Sequence, residues 1–425
     1  MIDKRLLENV LADQKEDLEV LKTEKLCYRK EQELIDLGST QAQVVIGVRR
    51  SGKSTLCYQA LAAAQKNFAY VDFDDERLKD VKADDLNDIL EVLYKIYGNF
   101  NYLFLDEIQD VEGWHLFVNR MLRKQMHVII TGSNAKLLSS ELSTFLSGRN
   151  KEIHLYPFSF AEYCDVKGVD TKSPTTKATA FRRRAFDEYL SQGGFPEALA
   201  INDKRAYVSG LVNNIIQRDI EQRYKVKYKA AFEQLAHHIL NNVPCTVVAK
   251  DLTELFRFKS VHTAENYVNY LCQAFLLVKI NKYSTKSRLR ITGQKVYPID
   301  VALMNQRENA FEGANLGWRL ETIVLLQLLR ESKFHGNDVY YLEGRNGECD
   351  FVVCHETTVL QAIQVSFDIS NPKTRRRELA GLELAKNLTG CTNLLLITDH
   401  EYEDVPKDEV TIKIRPFYEW ALEKQ

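Results

Sequence analysis

The chain is predicted to be an α/β protein built on a parallel sheet with a phosphate-binding loop, followed by a helical connector, a winged-helix segment and a second α/β region. Three observations carry this prediction. The octapeptide Gly47-Val48-Arg49-Arg50-Ser51-Gly52-Lys53-Ser54 fits G-x-x-x-x-G-K-[ST] and follows the apolar run Val44, Val45, Ile46. From there to Pro157, short β-rich runs alternate with helical patterns, which is the mark of a parallel sheet. A second alternation of this kind begins beyond Leu316.

Taken in order, residues 1–40 form an N-terminal helical segment, because Met1 to Glu24 is charged throughout with an amphipathic pattern. Residues 41–157 form the nucleotide-binding domain: the octapeptide, a helix from Thr55 to Gln65, a strand at Phe68–Phe73 and a helix at Ala83–Tyr97. A strand at Tyr102–Asp106, a helix at Trp114–Gln125, and strands at Val128–Thr131 and Glu152–Tyr156 complete it. Residues 158–228 read as a helical lid or connector, interrupted by Gly193-Gly194-Phe195-Pro196-Glu197, where glycines stop one helix and Pro196 opens the next. Residues 229–300 give three helical segments and then Phe275–Tyr283 and Arg288–Tyr297 as a hairpin, the layout of a winged helix. Residues 301–425 give a long helix at Gly317–Ser332, strands at Asp338–Leu342, Cys349–Cys354 and Thr358–Val365, a helix at Thr374–Leu388 and a strand at Asn393–Thr398.

Composition narrows the function classes. With 425 residues, 45% hydrophobic and 27% charged, the chain is of ordinary globular make-up, neither disordered nor fibrous. A net charge of −2 gives no overall attraction to nucleic acid, so a polyanion site has to be a local basic patch. The eight cysteines are scattered, without a CxxC pair or a neighbouring His at zinc-ligand spacing, and fit reduced thiols of a cytoplasmic protein. No run approaches the roughly 18 apolar residues of a membrane span, and no signal peptide is read.

The octapeptide implies a bound nucleoside triphosphate. Gly47 and Gly52 let the backbone curl with its N–H groups inward around phosphate oxygens, together with Arg50, Ser51 and Thr55 at the head of the following helix. Lys53 is placed to reach the β- and γ-phosphates and Ser54 to ligate Mg²⁺. Asp106-Glu107 ends an apolar strand as a Walker B element does: Asp106 holds Mg²⁺ through water and Glu107 polarises the attacking water. The β-run and helix between the two motifs imply an extra strand in the sheet. ATP is favoured over GTP, since Asn281-Lys282-Tyr283-Ser284 lacks the Asp of Asn-Lys-x-Asp. Ser133 or Asn134, after the next strand, is placed to touch the γ-phosphate or align the water, or simply caps a helix. Arg149, just before the fourth strand, is either an arginine finger for a neighbouring subunit or a solvated surface residue.

The runs GVRRSGKST, LFLDEIQDVEGW, TGSNAKLL, LSGR, YPFSFAEY and GGFPE resemble the AAA-type ATPases of bacteria and archaea whose AAA domain is fused to a winged helix and a C-terminal nuclease-like domain. The resemblance spans nearly all of the chain from about residue 30. It implies Lys53 and Ser54 for nucleotide and Mg²⁺, Asp106 and Glu107 as Walker B, Asn134 or Ser133 as sensor and Arg149 as the finger. It also implies a homo-oligomer.

In the winged-helix segment, His262 and Asn266 sit among polar residues of the helix Ser260–Ala274, and Lys282 and Arg288 are among the basic residues of the wing. These types reach bases or track phosphates, although winged helices also dock proteins. In the last region, Glu348–Val353 and Ala362–Ser366 resemble the hairpin of PD-(D/E)xK nucleases. Asp350 is kept, but Gln364 stands for the second acid and Ser366 for the Lys, leaving Glu321 on the preceding helix as the other oxygen donor. A degenerate, inactive scaffold is therefore expected. The leading expectation is an oligomeric Mg²⁺-dependent ATPase acting on DNA. The alternatives are a nucleotide-dependent switch or scaffold that binds a protein, and an ATP-driven metal nuclease.

Overall fold

The computed structural model describes residues 3–133, 146, 148–284, 293–306, 315–345, 347–407 and 410–423. The chain divides into two compact units, Met1–Leu155 with Gln273–Phe275, and Tyr156–Cys272 with Leu276–Gln425.

The first unit is built on five parallel strands, β1 (Ala42–Ile46), β2 (Phe68–Asp72), β3 (Tyr102–Asp106), β4 (His127–Gly132) and β5 (Asn150–His154), in the order β2-β3-β4-β1-β5. Every residue of β1 and β3 is buried, as the near-continuous apolar runs of a parallel sheet require. The extra strand implied by the motif spacing is β4, which separates β1 from β3. Helix α1 (Lys4–Leu21) buries Leu7, Val10, Leu11, Gln14 and Leu18, a helical stripe. Gln14 hydrogen-bonds both backbone groups of Asp72, at 2.9 and 3.0 Å, and so closes the end of the edge strand β2. Helices α2 (Lys53–Ala63), α3 (Leu86–Tyr97) and α4 (Trp114–Arg123) are the crossovers. Leu56, Leu61, Val45, Phe104 and Ile129 form the centre of the core against α2.

In the second unit the helices Phe160–Lys167, Thr176–Gln192 and Lys204–Asn214 come first, the last running on into a π-helical stretch, Ile215–Glu221. Ser159 and Glu162 form a reciprocal cap at the start of this series. Helices Lys229–Asn242, Ala249–Leu255 and Val261–Gln273 precede the strand pair β7 (Leu277–Lys282) and β8 (Gln294–Pro298). This pair does not stand apart. Together with β6 (Cys245–Thr246), β9 (Asp338–Gly344), β10 (Gly347–His355), β11 (Thr358–Val365), β12 (Leu394–Thr398), β13 (Glu403–Lys407) and β14 (Val410–Pro416), it forms a nine-stranded mixed sheet. Its order is β13-β14-β12-β11-β10-β9-β7-β8-β6, and the parallel pairing of Asn281 and Lys282 with Tyr340 and Tyr341 carries the ladder across residue 300. The long helix Leu316–His335 and the helix Pro372–Thr389 pack on this sheet, and Phe417–Glu423 closes the chain.

The Gly193-Gly194 turn is tied to the buried carboxylate of Asp300, whose Oδ2 accepts from Gly194 N at 2.8 Å and whose Oδ1 accepts from Ala302 N at 2.8 Å. All eight cysteines are free thiols, five of them buried. Among the described residues no helix is long and apolar enough to cross a membrane.

Candidate functional site

The octapeptide forms the turn from β1 into α2. Gly52 is the N-cap of α2 at φ 91°, a left-handed conformation that glycine adopts freely, and it gives α2 no side-chain cap. The helix therefore presents its first N–H groups and the positive end of its dipole to whatever lies in the turn. A Cβ on Gly47 would stand 2.1 Å from the Leu155 carbonyl oxygen, so the loop lies flat against the chain leaving β5. Arg49 of the same loop is ion-paired with Asp74 at 2.6 Å.

Lys53 is 4% exposed, with its Nζ 3.3 Å from the Val48 carbonyl and 3.3 Å from Glu107 Oε1. Asp106 ends β3 and Glu107 follows in a left-handed conformation, φ 51°. This turn points the two carboxylates differently. Glu107 Oε2 accepts from Ser133 N at 3.0 Å and from Gln109 Nε2 at 2.5 Å. Asp106 accepts from Tyr70 OH at 3.1 Å, from the Thr131 hydroxyl and from Ser54. Thr131, on β4, also accepts from Glu107 N at 3.0 Å, so the strand between the two motif strands holds both acids in place.

Burial works to raise Glu107, but the Lys53 ammonium, the Gln109 and Ser133 hydrogen bonds and the charge of Arg49 bring it down to about 2. Asp106 goes the other way: burial and the charge of Glu107 lift it, against the hydrogen bonds of Ser54 and Thr131. Asp72, its partner across the β2–β3 ladder, is pushed up to about 7 by burial and by Asp106 itself. Asp106, bonded to Ser54 and crowded by the carboxylates of Asp72 and Glu107, is a hard oxygen donor whose charge a divalent cation would relieve. Among the described residues no group of three or more His, Cys, Asp or Glu is arranged to hold a metal ion. The residues present fit a nucleotide with Mg²⁺: Gly47, Arg50, Ser51, Gly52, Lys53 and Thr55 around the phosphates, Ser54 and Asp106 at the cation.

The other expected residues are distributed as follows. Ser133 lies at Glu107, whereas Asn134 and Arg288 lie outside the described residues. Arg149 is exposed and adjoins Ala42, whose N–H donates to its carbonyl at 2.9 Å. It therefore stands at the opposite end of the sheet from the loop at Gly47, about 15 Å away by strand rise. His262 is exposed near Glu265, and Asn266 is half-buried. Lys282 is paired with Glu343 at 2.7 Å.

In the nine-stranded sheet, Asp350 Oδ2 accepts from Val365 N at 2.8 Å. Gln364 accepts from Asp350 N and donates to Glu378 at 2.7 Å, Ser366 donates to the Asp368 carbonyl, and Glu321 accepts from Tyr297 OH at 2.8 Å. Sequence reasoning missed Lys295, which reaches into this cleft from β8 and pairs with Glu348 at 3.2 Å. Burial pulls Lys295 down, but Glu321, Asp350 and Glu348 together hold it above the ordinary lysine value. Burial and Glu321 in turn push Asp350 well above the carboxylate range. A lysine thus does stand beside Asp350, delivered by a strand remote in sequence from the Ser366 position. Tyr70, Asp72, Thr131 and Gln109 were also missed. Tyr70 and Asp72 were legible in principle as alternate residues on one face of β2.

A family described as AAA domain matches residues 39–164, and a domain of unknown function, DUF8612, matches residues 183–313. The chain is 32% identical over 438 residues to the uncharacterized protein MJ1544 of Methanocaldococcus jannaschii, covering 99% of this chain and 96% of that protein. It is 32% identical over 399 residues to an uncharacterized protein of Haemophilus influenzae, covering 90% of this chain and 95% of that one. Among solved structures, the Walker-type ATPase PABY2304 of Pyrococcus abyssi is similar with a TM-score of 0.40 and 14% identity, over 66% of this chain and 96% of that one.

Proposed function

The chain belongs to the same family as MJ1544 and its Haemophilus influenzae relative and carries an AAA-type P-loop ATPase domain; from this premise we propose that it is an oligomeric Mg²⁺-dependent ATPase that couples ATP hydrolysis to binding or remodelling DNA. The observation that carries the ATPase reading is the convergence of Lys53, Ser54, Asp106 and Glu107 beneath the Gly47–Ser54 turn. In this reading the loop amides and Lys53 grip the phosphates, and Ser54 and Asp106 hold the cation. Mg²⁺, when bound, supplies positive charge to the phosphoryl oxygens. Glu107, kept ionised by its surroundings, orients a water and takes its proton, with Ser133 N and Gln109 fixing the carboxylate. The position of Arg149, at the far end of its own sheet, supports a role at a neighbouring subunit's nucleotide and hence the oligomer.

The DNA reading rests on the polar face of Val261–Gln273, with His262 and Asn266, and on the basic residues of β7 and β8. One observation favours the second reading, a nucleotide-dependent switch that engages a protein: Lys282 and Lys295 are already paired with Glu343 and Glu348. Steady-state ATP hydrolysis by the wild type and Glu107→Gln, with single-stranded, duplex and branched DNA at one fixed salt concentration, separates the two. Several-fold stimulation by one DNA form supports the DNA reading, and equal rates with and without every DNA support the protein-directed switch.

A further inference from the structure

We propose that Arg29, which lies well ahead of the octapeptide in sequence, is a positioning residue for the phosphate-binding turn; this rests on the nucleotide reading above. Arg29 is in extended backbone just before the short 3₁₀ turn Lys30–Leu34 and is 3% exposed. Its Nη1 donates to the carbonyl oxygen of Ser51 at 2.8 Å. In a planar trans peptide the C=O and the following N–H point in opposite directions. Anchoring the Ser51 carbonyl on Arg29 therefore turns the N–H of Gly52 away from Arg29 and fixes its direction. Gly52 is the N-cap of α2, and its φ of 91° leaves the 51–52 peptide easy to rotate. Without a partner for that carbonyl, the loop can spend the binding free energy of a phosphate on ordering itself.

The strap that carries Arg29 is held independently of it. Gln59, on α2, donates to the Cys27 carbonyl at 3.1 Å and accepts from Gln32 at 3.0 Å, and Leu26 and Leu34 pack on the core beside Leu56 and Leu61. Removing the guanidinium thus leaves the strap in place and frees the peptide. Arg is charged at every accessible pH, so it also sets a permanent positive charge behind a loop that takes an anion.

The test is titration with a fluorescent ATP analogue, with KM and kcat for ATP, on wild type, Arg29→Ala, Arg29→Lys and Lys53→Ala, each checked by thermal melting. Arg29→Ala is expected to raise Kd and KM by about 10-fold or more, the size of a hydrogen bond to a charged group, with kcat at saturation within about 3-fold. Arg29→Lys, which keeps charge and one donor, is expected to recover most of the loss. An Arg29→Ala protein that binds as the wild type does, or that loses kcat at unchanged KM, overturns the proposal. Should Arg29→Ala fail to fold, Arg29→Gln, which keeps length but not the charge, takes its place: a raised Kd and KM at near wild-type kcat supports the proposal, and wild-type values overturn it. A wild type that binds no nucleotide overturns the ATPase reading itself, and the proposal with it.

Discussion

Lys53 and Glu107 face each other at 3.3 Å, both almost wholly withdrawn from solvent, so that the cation of the phosphate-binding turn neutralises the carboxylate at the end of the neighbouring motif. The pair is further hydrogen-bonded, through Val48 on one side and Ser133 and Gln109 on the other. A buried pair of this kind adds little net stability, but removing one member strands the other charge. The two residues to which the proposed mechanism gives the phosphate grip and the base are therefore also coupled through the stability of the first unit.

Glu107→Gln keeps shape and volume while removing the carboxylate proposed as the base. Nucleotide binding is expected to persist and turnover to fall by roughly 10²–10⁴-fold. Lys53→Ala is expected to abolish binding and, because Glu107 is left unpaired, to lower the melting temperature as well. Parallel nucleotide titration, phosphate-release assay and calorimetry on both variants measure this. A Glu107→Gln enzyme as fast as the wild type would remove Glu107 from the chemistry.

Arg149→Ala is expected to leave nucleotide binding nearly intact and to reduce hydrolysis by roughly 10³-fold, the lower range for a supplied arginine. Because Arg149 lies at the far end of its own sheet, activity should return when this variant is mixed with Lys53→Ala protein, whose arginine is intact. Restored turnover in the mixture establishes supply between subunits; two inactive variants that stay inactive together, in a mixture shown to co-assemble, would count against it.

Asp300 is buried between Gly194 N and Ala302 N, and burial outweighs these bonds and the nearby Arg330 and Arg319 to push its carboxyl up to about 6. The native state then holds this proton more tightly than the unfolded chain does. The contribution to stability is full below pH about 4 and is lost as pH rises through 6. The stability difference between wild type and Asp300→Asn should accordingly shift against the wild type by about 1 kcal/mol between pH 5 and 7.5. Urea unfolding of both proteins at the two pH values reads the shift; a pH-independent difference contradicts it.

Lys295→Met removes the cation shared by Glu321, Glu348 and Asp350. Destabilisation of roughly 3 kcal/mol is expected, because buried Glu321 loses its counter-charge while the aliphatic stem is kept. A second change, Glu321→Gln, should recover part of it, since it removes the buried charge left without its partner. Additive losses in the double-mutant cycle would show the groups to be independent.

Lys53, Ser54, Asp106 and Glu107 come together as their spacing implied, since each motif sits at the end of its own strand and a parallel sheet gathers those ends on one side. The five strands of the first unit fall within a few residues of the expected positions for the same reason: buried parallel strands are continuous apolar runs. Lys295 was not legible, because it comes to Glu321 and Asp350 only once β8 has paired with β7 and β7 with β9, a non-local pairing without local signature. Arg29 and Thr131 act through backbone and hydroxyl groups that no motif records. The strands β13 and β14 were missed as well. Glu403–Lys407 is a largely exposed edge strand with charges and Pro406, which reads as loop, and Val410–Pro416 hides its alternating buried residues among Lys413 and Arg415.

The ladder between Asn281 and Tyr340 has a consequence for how such a polypeptide can be assembled in evolution or at the bench. A cut at residue 300 would not release two exchangeable cassettes. It would strip β7 and β8 from β9, baring unpaired backbone groups along both sides of the seam, the kind of surface that recruits other chains. A grafting experiment must therefore move residues 229–300 and 301–425 as one piece.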